Sequence, residues 1–292
     1  MTSSIGTISA LHRYPIKSLR GEAIAESWAS ERGLLGDRAL AVVDVETRKI
    51  ASAKHPRLWR SLLQCQASYA EPPERGRALP PVRIVLPDGT RCSSDEPAAP
   101  GLLSDLLGRR VELSRESRPT EGYDDYWPDI EHLSPEGYRD TVTVEPISRL
   151  APEGTFFDFS AFHIVTTQSL DALRAAAPDS RIELARFRPN FELTCADEPA
   201  GFIENTWAGR TLRIGTDGVA IKLILPAMRC VMTNLAQADL PDDPRVLRAI
   251  VQANRIEIPR LGQYPCLRLY AGLARKLSAG GLVRRGDACE LD

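Results

Sequence analysis

Apolar and polar positions along the first hundred residues fall into short, strand-length runs. Residues 5–11 form a short mixed run that stops at Tyr14-Pro15. Residues 39–45 (ALAVVDV) are almost continuously apolar and rich in β-branched side chains, the pattern of a buried strand, and residues 44–49 supply a turn before Ile50. Leu63, Cys65, Ala67 and Tyr69 alternate with other residues, which predicts a half-buried strand. The proline-rich stretch 70–81 reads as a loop. Residues 82–86 and 90–93 flank Pro87-Asp88-Gly89, a hairpin signature. Leu102, Leu103, Leu106 and Leu107 stand at helical spacing, predicting a short helix over 101–107, and residues 111–113 close the region.

From 117 to 145 no period holds. Tyr, Asp, Pro and Trp dominate (RPTEGYDDYWPDIEHLSPEGY), and the segment reads as a long connection. A domain boundary inside it divides the chain into 1–125 and 126–292. Beyond it, residues 162–165 predict a strand, Thr167 a cap for a helix reaching Ala177, and Pro178 its end. NFELTC, TLRIG and VAIKLIL are three further strands. Pro244 stands at the start of a second helix whose Val246, Leu247, Ile250 and Val251 share one face. Strands follow near 266–270 and near the C-terminus. The fold class is mainly β with a few helices (α+β), in two β-rich domains.

Composition narrows the function. The 292 residues are 43% hydrophobic and 26% charged, with a net charge of −2, so there is no basic surplus of the kind that nucleic-acid binders carry. The N-terminus lacks the pattern of a secretory signal, and no apolar run approaches the roughly 20 residues of a membrane span. A cytoplasmic protein is expected. Six cysteines (65, 92, 195, 230, 266, 289) show no CxxC spacing and do not cluster with the 4 histidines, which argues against a zinc site and a disulfide scaffold.

Four stretches carry candidate chemistry. In TTQS, a strand runs into a helix start, so free N–H groups and the hydroxyls of Thr166, Thr167 and Ser169 offer either a phosphate seat or a simple cap. In RFRPN, Arg186 and Arg188 point the same way if the segment is extended, beside Asn190; they suit an oxyanion, or else a solvated strand edge. In YPIKSL and GLLGDR, Lys17 and Arg38 stand at strand ends, either converging on an anion or simply at the surface. In LPAMRCVMTN, Arg229 adjoins Cys230; a neighbouring cation favours thiolate, a nucleophile and soft metal ligand, whereas a buried thiol is the plain alternative.

Taken in order, YPIKS, GLLGDRALAVVD, HPRLW, HIVTTQSL, RFRPN, RCVMTN, LGQYP and RRGDACEL resemble the MOSC family, named for the molybdenum cofactor sulfurase C-terminal domain. The likeness runs from about Ser9 onward and is greatest to two-domain members of the amidoxime-reducing kind. It implies an N-terminal MOSC-associated β-rich domain, a C-terminal β-barrel-like MOSC domain, and a molybdenum–molybdopterin cofactor between them. By the resemblance, Cys230 is the catalytic residue and molybdenum ligand. Lys17, Ser18, Arg38, Thr166, Thr167, Ser169, Arg188, Asn190 and Arg229 are the cofactor-binding residues. The implied activity is reduction of N-hydroxylated or N-oxide small molecules, with electrons from a separate ferredoxin, flavoprotein or cytochrome, since the chain holds no cysteine cluster for an iron–sulfur centre. The alternative is a cofactor carrier or sulfur-transfer protein with Cys230 as persulfide. Relatives often continue past the cysteine to an Asp-Pro-x-Thr-Gly turn. Here the chain reads NLAQADLPDDP, a departure that bears on substrate choice.

Overall fold

The structure, a computed structural model, describes residues 3–115, 122–133, 137–147, 151–195, 199–259 and 261–292. Strand β1 (Ser3–Arg13) opens the chain, and the short β2 (Glu22–Ala23) folds back on its end. Strands β3 (Glu26–Ser30) and β4 (Gly33–Leu34) form a tight pair, and β5 (Ala41–Asp44) is buried throughout. Helix α1 (Pro56–Trp59) leads through a 3-10 turn, Arg60–Gln64, into β6 (Gln66–Tyr69). Strand β6 pairs with β7 (Val82–Val85), which forms the expected hairpin with β8 (Arg91–Ser93). Helix α2 (Ala99–Leu107) ends on Gly108 in the left-handed region, and β9 (Val111–Ser114) returns to pair with β5. These elements enclose one apolar core, in which Leu40, Val42, Trp59, Leu62 and Ile84 meet.

The alternating run at 63–69 is only partly a strand. Leu63 belongs to the 3-10 turn, and the extended backbone begins at Gln66. A larger correction falls on the long connection. Within it, β10 (Gly122–Trp127) and β11 (Thr141–Pro146) form an antiparallel ribbon, from Gly122 opposite Pro146 to Trp127 opposite Thr141. A period of two is present, but its signal is inverted. The inward face of β10 carries Tyr123 and Asp125, while Val142 and Val144 of β11 point outward.

The second half adds β12 (Phe162–Thr166), α3 (Thr167–Ala176), β13 (Phe191–Thr194), β14 (Thr211–Ile214) and β15 (Val219–Met228). Helix α4 (Arg245–Ala253), β16 (Arg255–Ile258), β17 (Gly262–Leu273), β18 (Gly281–Arg284) and β19 (Ala288–Leu291) follow. Both helix starts shift by one residue: Thr166, not Thr167, caps α3, and Pro244 is the cap of α4 rather than its first residue. The main sheet runs β12-β13-β1-β19-β14-β15-β17-β16, and β12 also pairs with β17, closing seven of these strands into a ring. Only β12 and β13 are parallel in it; the helical crossover α3 joins them, as a parallel pair requires. Phe162, Ile164, Phe191, Leu193, Leu223 and Leu269 fill the ring. Helices α3 and α4 pack outside it through Leu170, Leu173, Val246 and Ile250.

Strand β1 belongs to this ring, between β13 and β19, and β18 pairs with β3. The two halves of the chain are therefore interwoven, and a cut at residue 125 separates strands that are bonded. No helix among the described residues is long and apolar enough to cross a membrane.

Candidate functional site

A cavity lies where the halves meet. Its walls come from the turn after β1 (Lys17, Ser18), the turn after β4 (Arg38), the loop before α1 (Ser52, Lys54) and the approach to β12 (Phe156 to Asp158). Strand β12 adds His163, the turn before β13 adds Arg188, the end of β15 adds Arg229 and Cys230, and β17 adds Arg268 and Tyr270.

The motifs of the sequence are knitted to one another here. In GLLGDR, Gly33 and Gly36 both have positive φ, and a Cβ on Gly36 would lie 2.6 Å from the Tyr69 ring, so the turn needs glycine. The turn delivers Asp37, a buried carboxylate that accepts from the Tyr14 N–H (2.7 Å) and Asn190 Nδ2 (2.8 Å) and pairs with Arg38. Arg38 Nη2 donates to the Arg188 carbonyl (3.3 Å), and Arg188 Nη1 to the Leu19 carbonyl (2.6 Å). Both guanidiniums lie over the Tyr14 ring, at 4.3 and 4.4 Å. Opposite them, Lys17 Nζ donates to the Phe156 carbonyl (2.9 Å) and pairs with Asp158. Lys54 meets Tyr123 Oη (3.2 Å), Asp125 (3.1 Å) and Asp158 (3.5 Å), which is why the ribbon buries a tyrosine and an aspartate.

The backbone is strained where the site is built. The described residues contain eight non-glycine positions with positive φ, and four of them line the cavity: Ser18, Arg38, Arg188 and Arg268. Strain concentrated this way is a mark of functional sites, because the surrounding structure has to impose it.

The cavity is also electrostatically lopsided. Among the described residues, six cationic side chains line it (Lys17, Arg38, Lys54, Arg188, Arg229, Arg268) against the single carboxylate of Asp158. Burial lowers the Lys17 and Arg188 pKa values, the latter to about 10, and pushes Arg268 well below the usual arginine range. Burial and the nearby arginines push His163 far down, so its imidazole is neutral. Burial works against ionised Asp158, yet Lys17 and Lys54 outweigh it and hold the carboxyl well below its ordinary value.

Six of the expected site residues meet in this cavity: Lys17, Ser18, Arg38, Arg188, Arg229 and Cys230. Thr166, Thr167, Ser169 and Asn190 do not line it. The helix start, read as either a phosphate seat or a simple cap, already holds a carboxyl group of the protein. Thr166 and Ser169 hydroxyls donate to Glu204 Oε2 (2.8 and 2.5 Å), Thr166 Oγ1 caps the Ser169 N–H, and Thr167 turns its hydroxyl to Gln168. Asn190 is a clamp behind the wall: its amide accepts from the His163 N–H (3.1 Å) and donates to the His12 carbonyl (3.2 Å) and Asp37.

Two expectations about side chains are corrected. RFRPN is not extended: Arg186 ends a 3-10 turn, Leu184–Arg186, Arg188 has φ 55°, and the two arginines diverge. Arg186 is fully buried and donates to the carbonyls of Arg181 (2.8 Å), Thr233 (3.2 Å), Leu235 (3.4 Å) and Pro241 (2.9 Å), pinning the segment after Cys230. At Cys230, burial raises the thiol pKa and outweighs the opposite pull of Lys54 and Arg229, so the neighbouring arginine acts in the expected direction without winning. His163 opens the HIVTTQSL stretch, while Lys54, Asp158, Arg268 and Tyr270 carry no signal in the sequence. Each of the latter is an isolated residue with no local motif.

Comparison with known proteins finds two family domains along the chain. Residues 5–71 match the MOSC N-terminal beta barrel domain and residues 151–290 the MOSC domain. The chain is similar to mitochondrial amidoxime-reducing component 1 of Mus musculus, 24% identical over 97% of this chain and 81% of that protein. It is likewise similar to mitochondrial amidoxime reducing component 2 of Rattus norvegicus, 26% identical over 79% of this chain and 67% of that one. A solved structure of the YUAD protein from Bacillus subtilis spans 100% of this chain and 96% of its own at 11% identity, with a TM-score of 0.40.

Proposed function

The chain belongs to the MOSC-domain family, and from that premise we propose that it is a molybdenum–molybdopterin-dependent oxidoreductase that reduces N-hydroxylated or N-oxide small molecules. One observation carries the reading: among the described residues, the one cysteine that faces the cavity, Cys230, shares it with six cations that meet only one carboxylate there. Those residue types fit the group. A terminal phosphate needs cations and donors, and a soft metal needs a thiolate. Lys17, Ser18, Arg38, Arg188 and Arg229 would hold the pterin phosphate and its polar edge, and Cys230 would ligate the metal. When bound, the cofactor supplies two-electron redox chemistry at the metal.

The protein's part is placement and exclusion of water. Asp37 and Asn190 fix Arg38 and the turn that carries Arg188, so these donors are set before any ligand arrives. Lys17 and Lys54 share Asp158, which keeps one wall fixed and nearly neutral. Neutral His163 and Tyr270, ring centroids 5.0 Å apart, form an aromatic wall. Arg186 holds the segment that follows Cys230 and so fixes where the sulfur points. Electrons come from a separate protein; the amidoxime-reducing relatives support this class of substrate.

The test compares wild type with Cys230→Ser, both made in a host that synthesises the cofactor. Near-stoichiometric molybdenum and viologen-driven reduction of an amidoxime or hydroxylamine are expected in the first, and loss of both in the second. Full activity in Cys230→Ser would overturn the reading.

A further inference from the structure

Arg268 sits in the middle of β17, yet its φ is 84°. The cause is a bulge. Cys266 and Leu269 of β17 pair with Met228 and Pro226 of β15, so three steps on one strand match two on the other. The extra residue turns a side chain away from its regular direction, a device that recurs beside active sites. A glycine would adopt this backbone without strain; an arginine does not.

The arginine so placed is 4% exposed and lines the cavity. Its Nε and Nη1, the Nε of Arg229 and the Nδ1 of His163 are buried with no hydrogen-bond partner among the described residues. The other cations of the cavity are answered by the protein. Lys17 has Asp158 and the Phe156 carbonyl, Lys54 has Asp125 and Asp158, Arg38 has Asp37, and Arg188 has the Leu19 carbonyl. One side of the cavity is therefore compensated and the Arg229–Arg268 side is not. Each of these two guanidiniums feels the other's charge, which makes an unliganded pair costlier still. Buried donors without partners are normally removed or satisfied, and here they share one opening.

The geometry points to Arg268, together with Arg229, as an oxyanion seat inside the cavity, against which a bound molecule places a phosphate or carboxylate group. Guanidinium forks match the geometry of both groups. Two sources supply that chemistry: the terminal phosphate of the proposed cofactor, or an acidic group on the substrate. The seat is defined by the protein's own unpartnered donors and does not depend on molybdenum.

The experiment titrates the full chain with inorganic phosphate by calorimetry. Wild type made without cofactor is compared with Arg268→Gly, which removes the guanidinium and relieves the backbone. Arg268→Gln repeats the removal without glycine, and Arg268→Lys keeps the charge but not the fork. Far-UV circular dichroism checks the fold of each. Saturable phosphate binding is expected in wild type, weakened roughly ten-fold or more in the glycine and glutamine variants and less in the lysine variant. The melting temperature of Arg268→Gly in phosphate-free buffer should equal or exceed that of wild type. Equal phosphate affinity in wild type and both charge-removal variants would overturn the seat. Loaded chain then identifies the source. If the seat takes the cofactor, loading abolishes free-phosphate binding and Arg268→Gly carries less pterin. If it takes substrate, loaded wild type still binds phosphate and pterin content is unchanged. Absence of pterin from every preparation would count against the proposed function, and the phosphate titration would then decide the seat by itself.

Discussion

Single residues near the cavity divide into those that face it and those that hold the facing ones. Arg186 is the clearest of the second kind: a buried cation bonded to four carbonyls, two of them within five residues of Cys230. Replacing it with leucine strands those carbonyls, so Arg186→Leu should lower unfolding stability by about 3 kcal/mol, read from urea denaturation. Asn190→Ala removes one acceptor and two donations that tie β1, β12 and Asp37 together, with an expected loss of about 2 kcal/mol in the same measurement. Glu204 carries a pH signature. Burial raises its carboxyl pKa above the ordinary 4.5, against the pull of the Ser169 and Thr166 hydroxyls. The fold thus binds this proton more tightly than the unfolded chain does. Stability contributed by Glu204 is fullest below pH 4.5 and is lost as pH rises through the folded value. Urea melts between pH 4 and 8 should show wild type weakening relative to Glu204→Gln as pH rises; parallel curves would contradict it.

Elements of the fold were legible in the sequence where their buried faces are apolar. The leucines at 102, 103, 106 and 107 mark α2, and the unbroken run FHIV marks β12, whose every residue is buried. The β10–β11 ribbon was illegible because it buries Tyr123 and Asp125 against two lysines and exposes its valines. Its faces should respond oppositely to mutation. Tyr123→Ala empties a packed position beside Ile50 and Phe156 and should cost about 3 kcal/mol, whereas Val144→Thr, on a residue 59% exposed, should stay within about 0.5 kcal/mol. The site divides in the same way. Lys17, Arg38, Arg188 and Cys230 stand in recognisable stretches, whereas the meaning of Lys54 depends on Asp125 and Asp158, which lie 71 and more residues away. TTQS did announce a helix cap. That the carboxyl group there is Glu204, 38 residues on from Thr166, has no local sign.

At the level of the whole molecule, the strand that opens the chain completes the ring built by the strands that close it. β1 supplies the common neighbour of β13 and β19, so residues 126–292 expressed alone would leave two unpaired edges and Leu193, Cys289 and Leu291 without Ile8 and Leu11. That fragment should be insoluble or unfold without a cooperative transition, and supplying residues 1–125 in trans should restore solubility; a well-folded fragment alone would show the ring closes without β1. The same topology sets an order of events during synthesis. Ser3 pairs with Leu291, which is made 288 positions later. Until β19 is made, β1 has no final neighbour on that side, and the ring that backs the cavity cannot close. The wall that carries Arg188, Arg229 and Cys230 is therefore backed by a closed ring only once β19 has been made, long after the turn that carries Lys17.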